Sequence, residues 1–419
     1  MNQLSFTSLL LVIILGFVGI SCDNSSATSS STIESDSSAS KSDTLLPPVE
    51  TQEPNTDYSA AFEGQTRAPG IATKTNYQVS EFASGLSRPW GMTNLPDGRI
   101  LVTEKGGTMR IVSNSGEISE AITGIPSVNS SGQGGLLDVA IDPDFDINRM
   151  VYWSFSQNGQ GGTATAIAKG RLSDNESTIE NVQVIYTALP EYNSTLHYGS
   201  RLEWDGEGNL FVSTGERSNK ESRPEAQHLD AALGKILRIT KDGDPAPGNP
   251  FMGQSDILPE IYSYGHRNPQ GLAIHPVSGD LWEGEFGPRG GDEINLIEPG
   301  KDYGWPTISY GIEYSGGKIG AGITQKEGME QPVYYWDPVV SASGITFYSG
   351  KMITEWTNNL FLGALSAQHI VRLVIEDNRV VAEERLLEGE NQRFRDLLEG
   401  TDGALYAITD SGLMYRIGL

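Results

Sequence analysis

The feature that most constrains this chain is a short unit that recurs along it: a turn carrying Gly or Asp, then a run of alternating apolar residues, then another turn. Its copies are LPDGRILVTEKGGTMRIV, DPDFDINRMVYWSFS, WDGEGNLFVSTGER, HPVSGDLWEGEFG, YSGKMITEWTNNLFLGAL and GTDGALYAITDSGLMYRI. The turns suit residues at positive φ, and the runs alternate as half-buried strands do. The 49 glycines and 21 prolines agree with many short strands and tight turns. Six copies between residues 76 and 419 leave room for a four-stranded unit each, with long loops. Regular antiparallel units of this length bury their faces against one another around a central channel. The expected fold is therefore all-β, a six-bladed β-propeller. A seventh blade would crowd the loops, and a sandwich has no need of six repeats.

The formal charge of −25 excludes nucleic acid as a partner, because a phosphate backbone requires a basic face. Most of this acidity reads as a solvated, soluble surface. The N-terminus, MNQLSFTSLLLVIILGFVGISC, has an apolar run from Leu9 to Val18 that is short for a bilayer span. Small residues, Gly19 and Ser21, precede Cys22, the single cysteine. This is the layout of a signal peptide and resembles a bacterial lipoprotein signal with Cys22 as the lipidated residue. The absence of Lys or Arg at its start, and Gly19 where Leu is usual, keep a plain secretory signal or an uncleaved anchor as alternatives. Residues 1–22 are thus expected to direct export, to the periplasm or cell envelope, with membrane contact only through the anchor. Residues 23–75 open with DNSSATSSSTIESDSSASKSD, and their Ser/Thr-rich composition predicts a disordered tether. The globular domain is expected over 76–419.

Four polar islands fall between the strand patterns: Gln133 in SGQGGLLDVAIDPDF, His197 in LHYGSRLEW, the pair SYGHRNPQGLAIHP and EFGPRGGDEINLIEPGKDYGWP, and Arg393 with Arg395 in NQRFRDLLEG. Propeller loops converge on the channel mouth, so residues distant in sequence can share one pocket. Each island also has a plain structural explanation: a satisfied histidine, a strand face of arginines, a capped turn, glycines supplying unusual backbone angles. The segment DPDFDIN lacks the spacing and terminal glutamate of a calcium loop and reads as a turn.

Taken together, GHRNPQGLA, GPRGGDEIN followed by YGWP, and RFRD, supported by HYGSRLEW and GQGGLLDVAIDPDF, occur in one order over about Tyr77 to Ile417. In this the chain resembles the soluble glucose/sorbosone dehydrogenases, and among them the periplasmic aldose sugar dehydrogenases. The resemblance implies a six-bladed propeller binding pyrroloquinoline quinone (PQQ) and calcium, one ion catalytic and at least one structural. It implies His197 as general base and Arg267 as a catalytic group beside the quinone carbonyls, with Asn268 beside it. Gln133 and Asp292 would lie by the sugar, Gln270 would be a further cofactor contact, and Arg393 and Arg395 would anchor cofactor carboxylates. Gly287 and Pro288 would offer carbonyls to the catalytic calcium, and Glu293 with the Tyr303 backbone would hold the structural one. An aldose would be oxidised at C1 to its lactone, and electrons would pass to an unspecified cytochrome or quinone pool. Chemically this is coherent: PQQ has three carboxylates, and an acidic protein must gather cations to hold them. Two departures stand out, Phe286 where relatives carry a polar side chain and Ser366 near the slot of a cofactor-binding lysine. The competing readings are a propeller lactone hydrolase, which would hold a metal by carboxylates at the channel mouth, and a lipid-anchored binding propeller without chemistry.

Overall fold

The computed structural model describes residues 45–419. The expected signal segment, Cys22 and the first part of the expected tether lie outside the described residues. Among the described residues no helix is long and apolar enough to cross a membrane.

Six antiparallel sheets form the body. Their inner strands are Pro89–Asn94, Leu136–Ile141, Gly199–Trp204, Pro269–Ile274, Ala342–Phe347 and Phe394–Glu399. Each touches the next, and the last touches the first, so the ring closes as the expected six-bladed propeller. Blades 2 to 5 run outward in chain order, whereas blade 1 has three strands whose outer edge is met only by isolated bridges from Ile118 and Ile122. Blade 6 is shared between the chain's two ends: Gln78–Ser84 pairs antiparallel with the last strand, Leu413–Gly418. This pairing joins the ring, because neither segment can complete a sheet alone.

The second strands of the blades depart from the half-buried pattern. Ile100–Glu104, Leu210–Thr214, Leu281–Glu285, Leu360–Ala364 and Leu405–Thr409 are buried along their whole length. Each sits between two neighbouring blades, so both faces are covered. The core clusters accordingly mix adjacent blades, as where Leu101 and Ile111 pack with Val139 and Trp153. A buried side chain of this size contributes about 1.5–3 kcal/mol.

Every inner strand carries a register shift near its start. Near these shifts, Gly91, Asp138, Arg201, Gly344 and Asp396 close on one another across the channel. Arg201 Nη1 lies 3.0 Å from Asp138 and 2.9 Å from Asp396, with its guanidinium over the Trp90 ring at 4.4 Å. Gly91 and Gly344 make room: a Cβ on Gly344 would stand 2.0 Å from Asp396 Oδ1 and 2.7 Å from Arg201. This plug divides the channel into two cavities, one at each mouth.

The expected tether differs from the structure in its second half. Residues 45–75 form a strap along the outer edges of blades 4 and 5. The Tyr335 amide donates to Gln65 O at 2.9 Å, Glu383 to Pro69 O at 2.9 Å, and Ile71 to Glu383 O at 3.0 Å. Ala68 enters the core of these blades. Outer strands present unpaired backbone groups, and the strap satisfies them. Composition hides this, because the partners, main-chain groups and carboxylates such as Glu355 and Glu384, lie far along the chain.

Candidate active site

The cavity at one mouth of the channel measures about 400 Å³, within the range of small-molecule sites. It is assembled by a simple rule. Residues just before an inner strand enter it: Arg88, Gln133, His197, Arg267 with Asn268, Ser341 and Arg393. So do residues just after a second strand: Lys105, Phe286, Leu365 and Asp410. Five cations line it (Arg88, Lys105, Arg267, Arg393 and Arg395), against one carboxylate, Asp410. In a chain of net charge −25 this is a local reversal of sign. Asp410 binds Arg393 Nε at 2.8 Å and Arg395 Nε at 2.9 Å. Burial raises its carboxyl, but the two arginines outweigh this and hold it below the usual range. Arg395 Nη1 also reaches Gln270 Oε1 at 3.2 Å.

His197 is buried on this wall, in the left-handed region at φ 48°. Its amide donates to Gln133 Oε1 at 2.7 Å, which fixes these two expected site residues against each other. Its Nδ1 lies 2.6 Å from Glu216 Oε1. A carboxylate only accepts, so Nδ1 carries the proton and Nε2 keeps its lone pair. Burial and then the Arg267 charge push the imidazole down to about 4, although Glu216 pulls the other way. Near neutral pH it is an unprotonated base.

Asn268 accepts the Gly199 amide through Oδ1, while its Nδ2 is a buried donor without a partner. Arg267 donates through Nη1 to Phe286 O at 2.9 Å and Gly287 O at 2.7 Å, and its Nε is unpartnered. Such donors suit a polyanionic ligand with ring carbonyls, as PQQ is, since an unmet buried donor costs about 1–3 kcal/mol.

In the expected cation loop the Phe286 and Gly287 carbonyls accept the Arg267 guanidinium. Gly287 and Pro288 also bound a small cavity of about 10 Å³, with Glu285, Glu293 and Tyr303. A cavity of this size holds one water or one ion. Glu285 pairs with Glu293, and Glu283 with Asn295, on neighbouring strands. Among the described residues, the buried Glu283 Oε1, Asn295 Oδ1 and His266 Nδ1 have no hydrogen-bond partner. Burial, then the charge of Glu285, push Glu283 and Glu293 well above the usual carboxylate range. Orphaned oxygens and uncompensated carboxylates together fit a hard divalent cation.

Asp292 does not line the cavity. Its oxygens accept the Gly287 amide at 2.7 Å and the Ser341 amide at 2.5 Å, and burial raises its carboxyl to about 7. These two bonds tie the loop at Gly287 to the start of the fifth inner strand. Ser366 also stands off the cavity, bonded to Ser341 Oγ at 2.7 Å, whereas Phe286 lines it. Glu216, Lys105, Arg88, Asp410 and the exposed rim residue Tyr314 were not singled out by motif. Lys105 follows a second strand directly, in TEKGG, and Glu216 follows one after a single glycine, in STGER, and that position is the signal that finds them.

Fold and pocket together define a class: a propeller with a cation-lined cavity, walled in part by a buried histidine, at its channel mouth. Residues 86–416 match the family described as Glucose / Sorbosone dehydrogenase. The chain is 40% identical over 351 residues to the aldose sugar dehydrogenase YliI of Escherichia coli, covering 83% of this chain and 94% of that protein. It superposes on a crystal structure of a glucose dehydrogenase with a TM-score of 0.79 at 43% identity, over 82% of this chain and 99% of the other. The PQQ-bound aldose sugar dehydrogenase of Streptomyces coelicolor gives 0.68 at 28% identity, over 83% and 99% of the two chains. The chain belongs to the glucose/sorbosone dehydrogenase family, and is a dehydrogenase. The family match begins after the strap.

Proposed function

We propose that this protein is a PQQ- and calcium-dependent aldose dehydrogenase that oxidises sugars at C1 to the lactone. One observation carries the reading: five cations ring a cavity that also holds a neutral, carboxylate-oriented histidine. PQQ would lie with its carboxylates toward Arg393, Arg395 and Lys105, and its ring carbonyls toward Arg267 and Asn268. When bound, the cofactor would supply a two-electron hydride acceptor, with a calcium that Gly287 and Pro288 would hold to polarise it.

The chain's own residues supply the rest. His197 Nε2 takes the proton of the sugar's anomeric hydroxyl as the C1–H bond breaks, so that the carbonyl of the lactone forms. Glu216 stabilises the imidazolium produced, and Gln133 fixes the backbone that carries the ring. Asp410 pairs with both arginines and limits their repulsion. A lactone hydrolase would need carboxylates free to hold a metal at this mouth, whereas Asp410 is committed to two arginines.

Export, and lipidation at Cys22, belong to the same proposal, as does a structural calcium at Glu293, Glu285 and Tyr303. Radiolabelled fatty acid should be incorporated by the wild type and lost in Cys22→Ser. The decisive test is a spectrum of the purified apo-protein after addition of PQQ and calcium. An aldose should bleach the bound quinone, and failure to bleach with any aldose would defeat the reading.

A further inference from the structure

The strap makes its densest contacts beside the loop that receives the cation. Asp337 Oδ1 accepts the Asn55 amide at 2.8 Å and Asn55 Nδ2 at 2.9 Å. Its Oδ2 accepts the Thr56 amide at 2.9 Å and Thr56 Oγ1 at 2.8 Å. Four donors from two strap residues thus saturate one carboxylate. That carboxylate lies against Gly290, where an added Cβ would meet Oδ1 at 2.8 Å. From the loop side Arg289 Nε donates to Asn55 Oδ1 at 2.9 Å, and the Gly291 amide donates to Trp336 O at 2.8 Å. Arg67, further along the strap, closes the circuit by donating to Asp337 O at 2.8 Å and Glu50 O at 3.1 Å. A run of contacts therefore joins residues 50–67 through Asp337 and Arg289 to Gly287, whose carbonyl meets the Arg267 guanidinium in the pocket wall.

We propose that the N-terminal strap is a positioning element for the cation loop 286–293, with Asn55 and Thr56 as its working residues. Loops are the least stable parts of a fold, and ligand sites on them depend on supporting contacts for their geometry. Here the support comes from a segment that precedes the family-matched residues. The strap holds Asp337 against Gly290, and so holds the backbone that carries Phe286 O, Gly287 O and Glu293 in register with Arg267. Its loss weakens retention of calcium and PQQ without touching the proton-transfer residues. The ligand side of this inference rests on the function proposed above; the mechanical side does not.

The test uses the full chain with Asn55→Ala, Thr56→Val and their combination, and Thr56→Ser as the conservative control. Amide hydrogen exchange of the apo-protein reads the mechanical link. The double variant should speed exchange in 286–293 by about tenfold, with the inner strands of blades 1 to 3 unchanged. Calcium chloride titration followed by tryptophan fluorescence, and PQQ titration at saturating calcium, read the ligand link. Both midpoints should rise by about tenfold, while kcat at saturation stays within about twofold and Thr56→Ser behaves as wild type. Unchanged exchange in 286–293 overturns the proposal, as does equal speeding of exchange in every blade. Should the double variant fail to fold, Asn55→Ala alone decides by the same exchange criterion. If wild type binds neither calcium nor PQQ, the functional reading fails while the exchange result still decides the strap; if wild type binds both and the variants bind equally well, the strap proposal alone falls.

Discussion

At the scale of residues, the proposed chemistry rests on His197 and Glu216. Replacing His197 by Ala should leave PQQ bound with its quinone spectrum and lower the rate of bleaching by about 10²–10⁴-fold. Cofactor loss or unfolding in that variant would instead make His197 structural. The environment of the imidazole gives a second, independent check. Its folded value near 4 lies below the ordinary 6.5 because burial and Arg267 disfavour the cation. The unfolded chain then binds a proton between those values that the folded chain does not. Stability should therefore fall as pH is lowered from about 6.5 to 4, and His197→Gln should remove part of that slope. Histidine proton resonances of the apo-protein should show no titration of His197 above pH 5.5; a midpoint at 6.5 or higher would contradict the burial argument.

At the scale of elements, two devices in neighbouring strands make opposite predictions. Glu283 and Glu285, buried, and Glu293, half-buried, concentrate carboxyls on adjacent strands of blade 4, where they repel unless a cation is bound. Glu283→Gln should raise the melting temperature of calcium-free protein and shrink the rise that calcium produces. A lower melting temperature without calcium would show that the carboxyl is already satisfied. The channel plug behaves the other way, since its charges are paired. Arg201→Met leaves Asp138 and Asp396 facing each other without a cation, and should cost about 3–5 kcal/mol at pH 7. Burial raises both carboxyls, Asp396 to about 7, so the mutant can relieve repulsion by binding protons as pH falls. The destabilisation should accordingly be smaller at pH 5 than at pH 7, as measured by urea unfolding; a pH-independent cost would point to lost packing over Trp90 instead.

At the scale of the whole molecule, the ring is closed by one pairing between the chain's ends. Residues 413–419 contribute the strand that joins Gln78–Ser84 to the rest of blade 6. Deleting them exposes strand edges on both sides and opens the interface between blades 6 and 1. The truncated chain should lose the cooperative near-ultraviolet transition of the full chain. A cooperative melt within roughly 5 °C of wild type would show that five blades and a partial sixth suffice.

What the sequence determined by itself was the architecture and most of the pocket's membership. The recurring turn and alternating run encode a strand pair locally, and six of them can bury their faces only against one another. His197, Gln133, Arg267, Asn268, Gln270, Arg393 and Arg395 were legible because motif and order single them out, and all seven line one cavity. Tertiary structure decided the rest. Glu216 and Asp410 gain their partners only where a second strand ends beside an inner strand, Asp292 is occupied by two loop amides, and the Phe286 and Gly287 carbonyls meet the Arg267 guanidinium. By composition the strap reads as a tether, because its partners lie far along the chain: main-chain groups of blades 4 and 5 and the carboxylates of Asp337, Glu355 and Glu384. Local composition records how much apolar surface a segment carries. It holds no record of which distant edge will offer that segment its hydrogen bonds, and those bonds form only when the whole ring has closed.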